Sequence, residues 1–109
     1  MLRVVSFLLI LIVSIPSSAA WDKSVTGKIE HVDVEVMNGD NAGFRVTFES
    51  APALCTNEKT WAYVNKSHDN YQTAVSVLLA AKMADRSVTI YTNIGSWGGH
   101  CQIGYVVLR

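Results

Sequence analysis

His100 stands directly before Cys101, and an imidazole beside a cysteine is the pairing that can activate a thiol nucleophile. The chain has one other cysteine, Cys55. An exported domain with two cysteines most simply joins them, and a disulfide removes the thiol that such chemistry needs. Two free thiols are the alternative. A metal site fits less well, because cysteines about 46 residues apart lack local ligand spacing. His31 and His68 add no His-x-His or H-E-x-x-H pattern, so no metal or other cofactor is implied. Asp33 and Glu35 share a strand face and could flank a scissile sugar bond as glycosidase carboxylates do, but they read more simply as a solvated strand edge. There is no nucleophile elbow, phosphate loop or dinucleotide fingerprint. The sequence therefore reads as that of a non-enzyme.

The chemistry that remains is aromatic. Trp21, Trp61, Trp97, Tyr63 and Tyr91 fall in or beside loops, strand ends and the amino-terminal lead-in. Rings set among Ser, Thr, Asn and Asp are what a sugar-binding groove needs, namely an apolar face for stacking plus a few directed hydrogen bonds. Trp61 reads as a core residue. Trp97, in the glycine-rich loop 93–100, reads as exposed.

Charge and compartment narrow the classes further. Met1-Leu2-Arg3, an apolar run to Ile15 and the small residues Pro16 to Ala20 have the form of a secretory signal peptide over residues 1–20, cleaved before Trp21. The apolar run of about 12 residues is too short for a membrane span, which takes about 20. The mature form, residues 21–109, would be a single domain with no membrane span. Of nine Lys+Arg and nine Asp+Glu in the chain, Arg3 leaves with the signal peptide, so eight face nine and the net charge is −1. Without a basic cluster there is no case for nucleic acid as a partner. The expected location is secreted or periplasmic.

The elements that must position these residues follow from periodicity. Val25 to Val36 reads as one long first strand, in which Val32, Val34 and Val36 alternate with Asp33 and Glu35. Ile29 breaks that parity and Gly27 sits nearby, which predicts a bulge or sharp bend between Gly27 and His31. A turn over 38–43 leads to a second strand, Phe44 to Glu49. Leu54-Cys55 with Trp61 to Val64 reads as a short third strand. Tyr71, Ala74, Val75, Leu78 and Leu79 recur at helical spacing, with Asp69 or Asn70 available to cap the start. So apolar a helix needs cover on more than one side, from the sheet alone or from the sheet and a second subunit. Val88 to Thr92 alternates as a fourth strand, and Cys101 to Leu108 as a fifth with Cys101, Ile103, Tyr105 and Val107 on one face. The order β-β-β-α-β-β is that of a mainly β protein with one helix, the five-stranded Greek-key barrel known as the OB-fold. An open α+β sandwich is the other arrangement of the same elements.

With these pieces in order, the chain resembles the small B subunits of pentameric bacterial toxins, of the subtilase-cytotoxin and typhoid-toxin type. The residues that carry the resemblance are Thr26-Gly27 opening the first strand, Cys55 followed by Trp61, and Tyr71-Gln72-Thr73-Ala74 starting the helix. Val88-Thr89-Ile90-Tyr91 and Gly95-Ser96-Trp97 complete it. The resemblance implies a homo-oligomeric ring whose helices line a channel, with a surface glycan or glycoprotein as partner. By position, Thr26 matches the glycan-contacting serine of that family and Asp22 a nearby acidic residue. No catalytic feature of a toxin A subunit is present in the sequence. Asp22, Ser24 and Thr26 are thus the expected hydrogen-bonding residues, with Tyr91 or Trp97 for ring stacking. A small periplasmic interaction or inhibitor module without glycan binding is the alternative.

Overall fold

The computed structural model describes residues 21–37, 41–95 and 98–109. The expected signal peptide and Trp97 lie outside the described residues, as does the first half of the expected turn, residues 38–40. Seven elements follow one another: β1 (Lys23–Gly27), β2 (Ile29–Val34), β3 (Phe44–Phe48), β4 (Trp61–Val64), α1 (Tyr71–Met83), β5 (Val88–Ile94) and β6 (Cys101–Leu108). The protein is mainly β with one helix, as its periodicities indicate. Among the described residues it has six strands rather than five, because the stretch read as one long strand breaks at Lys28.

The break governs the sheet. β1 pairs antiparallel with β5, while β2 pairs antiparallel with β3. In the sheet order β1-β5-β6-β4-β3-β2, the two halves of this stretch therefore occupy opposite edges. Edges joined through a single residue force the sheet to curl into a half-barrel. At the corner, the Glu49 amide donates to the Lys28 carbonyl at 2.9 Å. A Cβ on Gly27 would lie 3.0 Å from the Phe48 ring, so the glycine lets the chain turn close over that side chain. The register of β2 on β3 shifts between Ile29 and His31, where the parity break predicted an irregularity. The sheet is mixed, since β4 runs parallel to β6.

Inward-facing Val46, Phe48, Ala62, Val88 and Ile90 form the core with Leu54, and α1 closes it with Leu78 and Ala81. Leu79, expected on the same face, is 40% exposed and Met83 is 85% exposed, so the sheet covers one side of the helix only. Asn70 occupies the N-cap position but makes no side-chain cap. The other end is tightly closed. Asp85 takes a left-handed φ of 55°, its amide donates to the Lys82 carbonyl, and the Arg86 amide reaches back to Ala81 at 2.9 Å, a Schellman motif. The Asp85 carboxylate also meets Lys28 Nζ at 3.3 Å, linking this turn to the sheet corner.

Three expectations about strands are corrected. Leu54 and Cys55 belong to no strand; they sit buried in a looped segment in which the Leu54 amide donates to Lys59 and the Glu58 amide to Cys55. Val34 and Val36 do not face the core, being 62% and 80% exposed, and only Val32 of that series packs inward. In β6 the face reverses: Tyr91 pairs with Tyr105 and Thr92 with Ile103, so Gly104 is skipped. Cys101 and Ile103 are buried as expected, but Tyr105 is 54% exposed and Val106 takes the inward position.

Cys55 and Cys101 are joined, with Cα atoms 5.6 Å apart. The bond fits an extracellular or periplasmic location. Among the described residues, no helix is long and apolar enough to cross a membrane.

Candidate functional site

β1, β5 and β6 lie side by side, so their registers decide which outward side chains meet. Ser24 stands opposite Tyr91, and Tyr91 opposite Tyr105. The Tyr91 and Tyr105 ring centres are 5.2 Å apart with planes tilted by 50°. Trp21, just before β1, lies parallel to the Tyr105 ring at 6.4 Å. Its indole rests against the β6 backbone at Gly104, where any Cβ would be driven into the ring. The three rings form one aromatic surface, with Ser24 exposed at its edge. Trp21, Asp22, Lys23, Ser24 and Tyr91 enclose a shallow depression of about 240 Å³.

The structure thus brings Asp22, Ser24 and Tyr91 together. Thr26 lies one step further along the same strand, outside the depression, and its hydroxyl shares a 2.6 Å hydrogen bond with that of Thr89. The Arg109 Nε donates to the same Thr89 oxygen at 3.1 Å. Asp22 is held by β5: its amide donates to Asn93 Oδ1 at 2.7 Å, and its carboxylate accepts from the Ile94 amide at 3.2 Å. This fixes the lead-in residue that carries Trp21. Tyr105 was missed in the sequence because strict alternation put it on the core face. Trp21 was visible as an aromatic residue, but a lead-in has no periodicity that would assign it a face.

A second aromatic cluster lies on β3 and β4. Trp61, expected in the core, is half-buried on the outer face opposite Thr47. The Arg45 guanidinium sits 4.6 Å from the centre of its ring, and the His100 ring lies 5.0 Å away. Arg45 also approaches Glu35 at 3.7 Å. Asp33 and Glu35 are both exposed, Asp33 lying 3.9 Å from His31. Among the described residues, no group of three or more His, Cys, Asp or Glu is placed to hold a metal ion.

Between the two clusters runs a chain of hydrogen bonds. The buried Tyr63 hydroxyl donates to Gln102 Oε1 at 2.9 Å, and Gln102 Nε2 meets His68 Nε2 at 3.2 Å. Burial raises the Tyr63 pKa above the usual 10.0. The unfolded chain therefore releases this proton first as pH rises through 10.0, so stability is full below that pH and is lost above it. Tyr63→Phe should cost about 1 kcal/mol at neutral pH through the lost hydrogen bond. The variant should also lose stability less steeply than the wild type above pH 10.0. Urea titrations at neutral and alkaline pH measure both, and parallel losses in the two proteins would remove the assignment.

The sequence matches no protein-family model, and no curated protein matches it.

Proposed function

We propose that this is a secreted, non-catalytic OB-fold protein that recognises surface glycans as a homo-oligomer, in the manner of a toxin B subunit. The observation that carries this reading is the surface where Trp21, Tyr91 and Tyr105 meet beside Asp22 and Ser24. A pyranose ring stacks its C–H face on aromatic rings and offers hydroxyls to hydroxyl and carboxylate partners at the rim. Thr26 borders this surface, with its exchangeable hydroxyl pair to Thr89.

The OB-fold assignment is supported by the strand order, by the parallel β4–β6 pair and by the single helix between β4 and β5. The largely uncovered side of α1, with Leu79 and Met83, supports assembly with further copies. Weak sugar sites gain from such assembly, because linked sites raise effective concentration. The resemblance to toxin B subunits also suggests a separate toxic chain as a further partner.

A glycan array probed with the purified mature chain tests the reading, with light scattering to establish the assembly state. Binding to a defined glycan, lost on Tyr91→Ala, is the expected result. An intact oligomer that binds no glycan would rule out this function. One observation favours a protein-interaction module instead: Val34, Val36 and Met37 stand exposed together at the β2 end of the β2–β3 connection. A monomer that binds no glycan would point there.

A further inference from the structure

We infer that the ligand is a chain of at least two or three linked sugars, whose inner units lie in the groove between α1 and β6. This inference rests on the glycan reading above and extends it to a surface outside the depression. Trp21 lines both spaces: the depression and a groove of about 690 Å³, which Gly104 and Tyr105 also line. That volume lies within the roughly 300–1,000 Å³ of small-molecule clefts, whereas the depression alone is shallow. A ligand stacked on the aromatic surface and extended past Trp21 enters the groove directly.

The groove has the composition an oligosaccharide needs. Ala74 and Val77 of α1 and Ile103 and Val106 of β6 give it apolar walls for sugar C–H faces. His68 and Gln102 add polar groups to its lining. Their orientation is fixed by what lies behind them. Gln102 Oε1 accepts from the buried Tyr63 hydroxyl, so its amide nitrogen is the group that faces His68. An amide nitrogen only donates, hence His68 Nε2 accepts and its proton resides on Nδ1. Asn65, on the same loop, is folded onto Ser67 by hydrogen bonds of 2.9 and 2.7 Å, which stiffens the segment carrying His68. Held donors of this kind discriminate hydroxyl patterns at little entropic cost on binding.

The test uses an array in which each common terminal sugar is displayed both alone and at the end of tri- to pentasaccharides on the same linker. The mature wild-type chain should bind the longer glycan about tenfold tighter than its terminal sugar alone, the equivalent of one or two added hydrogen bonds. Thr73→Trp places an indole over the groove from an exposed helix position. It should reduce the longer glycan to single-sugar affinity while leaving single-sugar binding unchanged. His68→Ala, at an exposed loop position, is the milder variant and should lower only the longer glycan's affinity. Equal affinity for both lengths, or a wild-type length preference in both variants, would overturn the inference and leave the glycan reading in place. Failure to bind any sugar of any length would remove both.

Discussion

Replacing Cys55 and Cys101 together by alanine should lower the unfolding free energy by about 4 kcal/mol, the chain-entropy value for a closed loop of about 46 residues. Native stability of a domain this size is about 5–15 kcal/mol, so the loss removes a large share of it. The structure gives a reason to expect the full effect. Cys55 lies in the looped segment between β3 and β4, where Ser50, Ala51 and Glu58 all have positive φ. Besides the core packing of Leu54, that segment is tied down by the disulfide to β6, by the buried Thr92 hydroxyl donating to the Leu54 carbonyl, and by Asn57 Nδ2 donating to the Gly99 carbonyl of the β5–β6 loop at 2.9 Å. Both cysteines are essentially inaccessible to solvent, so replacement also leaves small voids in the core. Urea unfolding of wild type and double variant, and of wild type with reductant, measures the effect. A loss under about 1 kcal/mol would mean that the loop is held without its staple.

How much of this was legible in the sequence can be judged residue by residue. β3 was, because Phe44, Val46 and Phe48 alternate with polar residues on a half-buried strand and no bulge interrupts them. The helix was, apart from Leu79, whose exposure depends on where the curled sheet stops. The disulfide followed from counting cysteines in a chain expected to be exported. The bend near Gly27 showed in the parity of Ile29. That the two halves would pair with β5 and β3 is a long-range fact, which no local pattern contains. Leu54-Cys55 was mistaken for strand because two apolar residues have no measurable period. Three of the five residues of the candidate site were therefore readable. Asp22, Ser24 and Tyr91 were named, whereas the meeting of Trp21 with Tyr105 depends on one skipped residue.

That residue is Gly104, and Gly104→Ala should disrupt the site more than its size suggests. Its φ is not in the left-handed region, so the backbone itself accepts alanine. The obstacle is the Trp21 indole, which occupies the space the new methyl would need and meets it with three of its ring carbons. β6 is anchored on both sides by β4 and β5, whereas Trp21 precedes the first strand, so the indole should be the group that moves. Overpacking of this kind typically costs about 1–3 kcal/mol. The parallel stack on Tyr105 would be lost with it, and Trp21 would leave the wall shared by the depression and the groove. The expected result is a red-shifted tryptophan emission, a stability loss in that range, and glycan binding reduced at every chain length. Trp21→Ala should reproduce the binding loss, and in that background Gly104→Ala should have little further effect, because the clash partner is gone. Full binding by Gly104→Ala with an unchanged emission spectrum would show that the indole does not sit on β6 and would remove the aromatic surface on which the glycan reading depends.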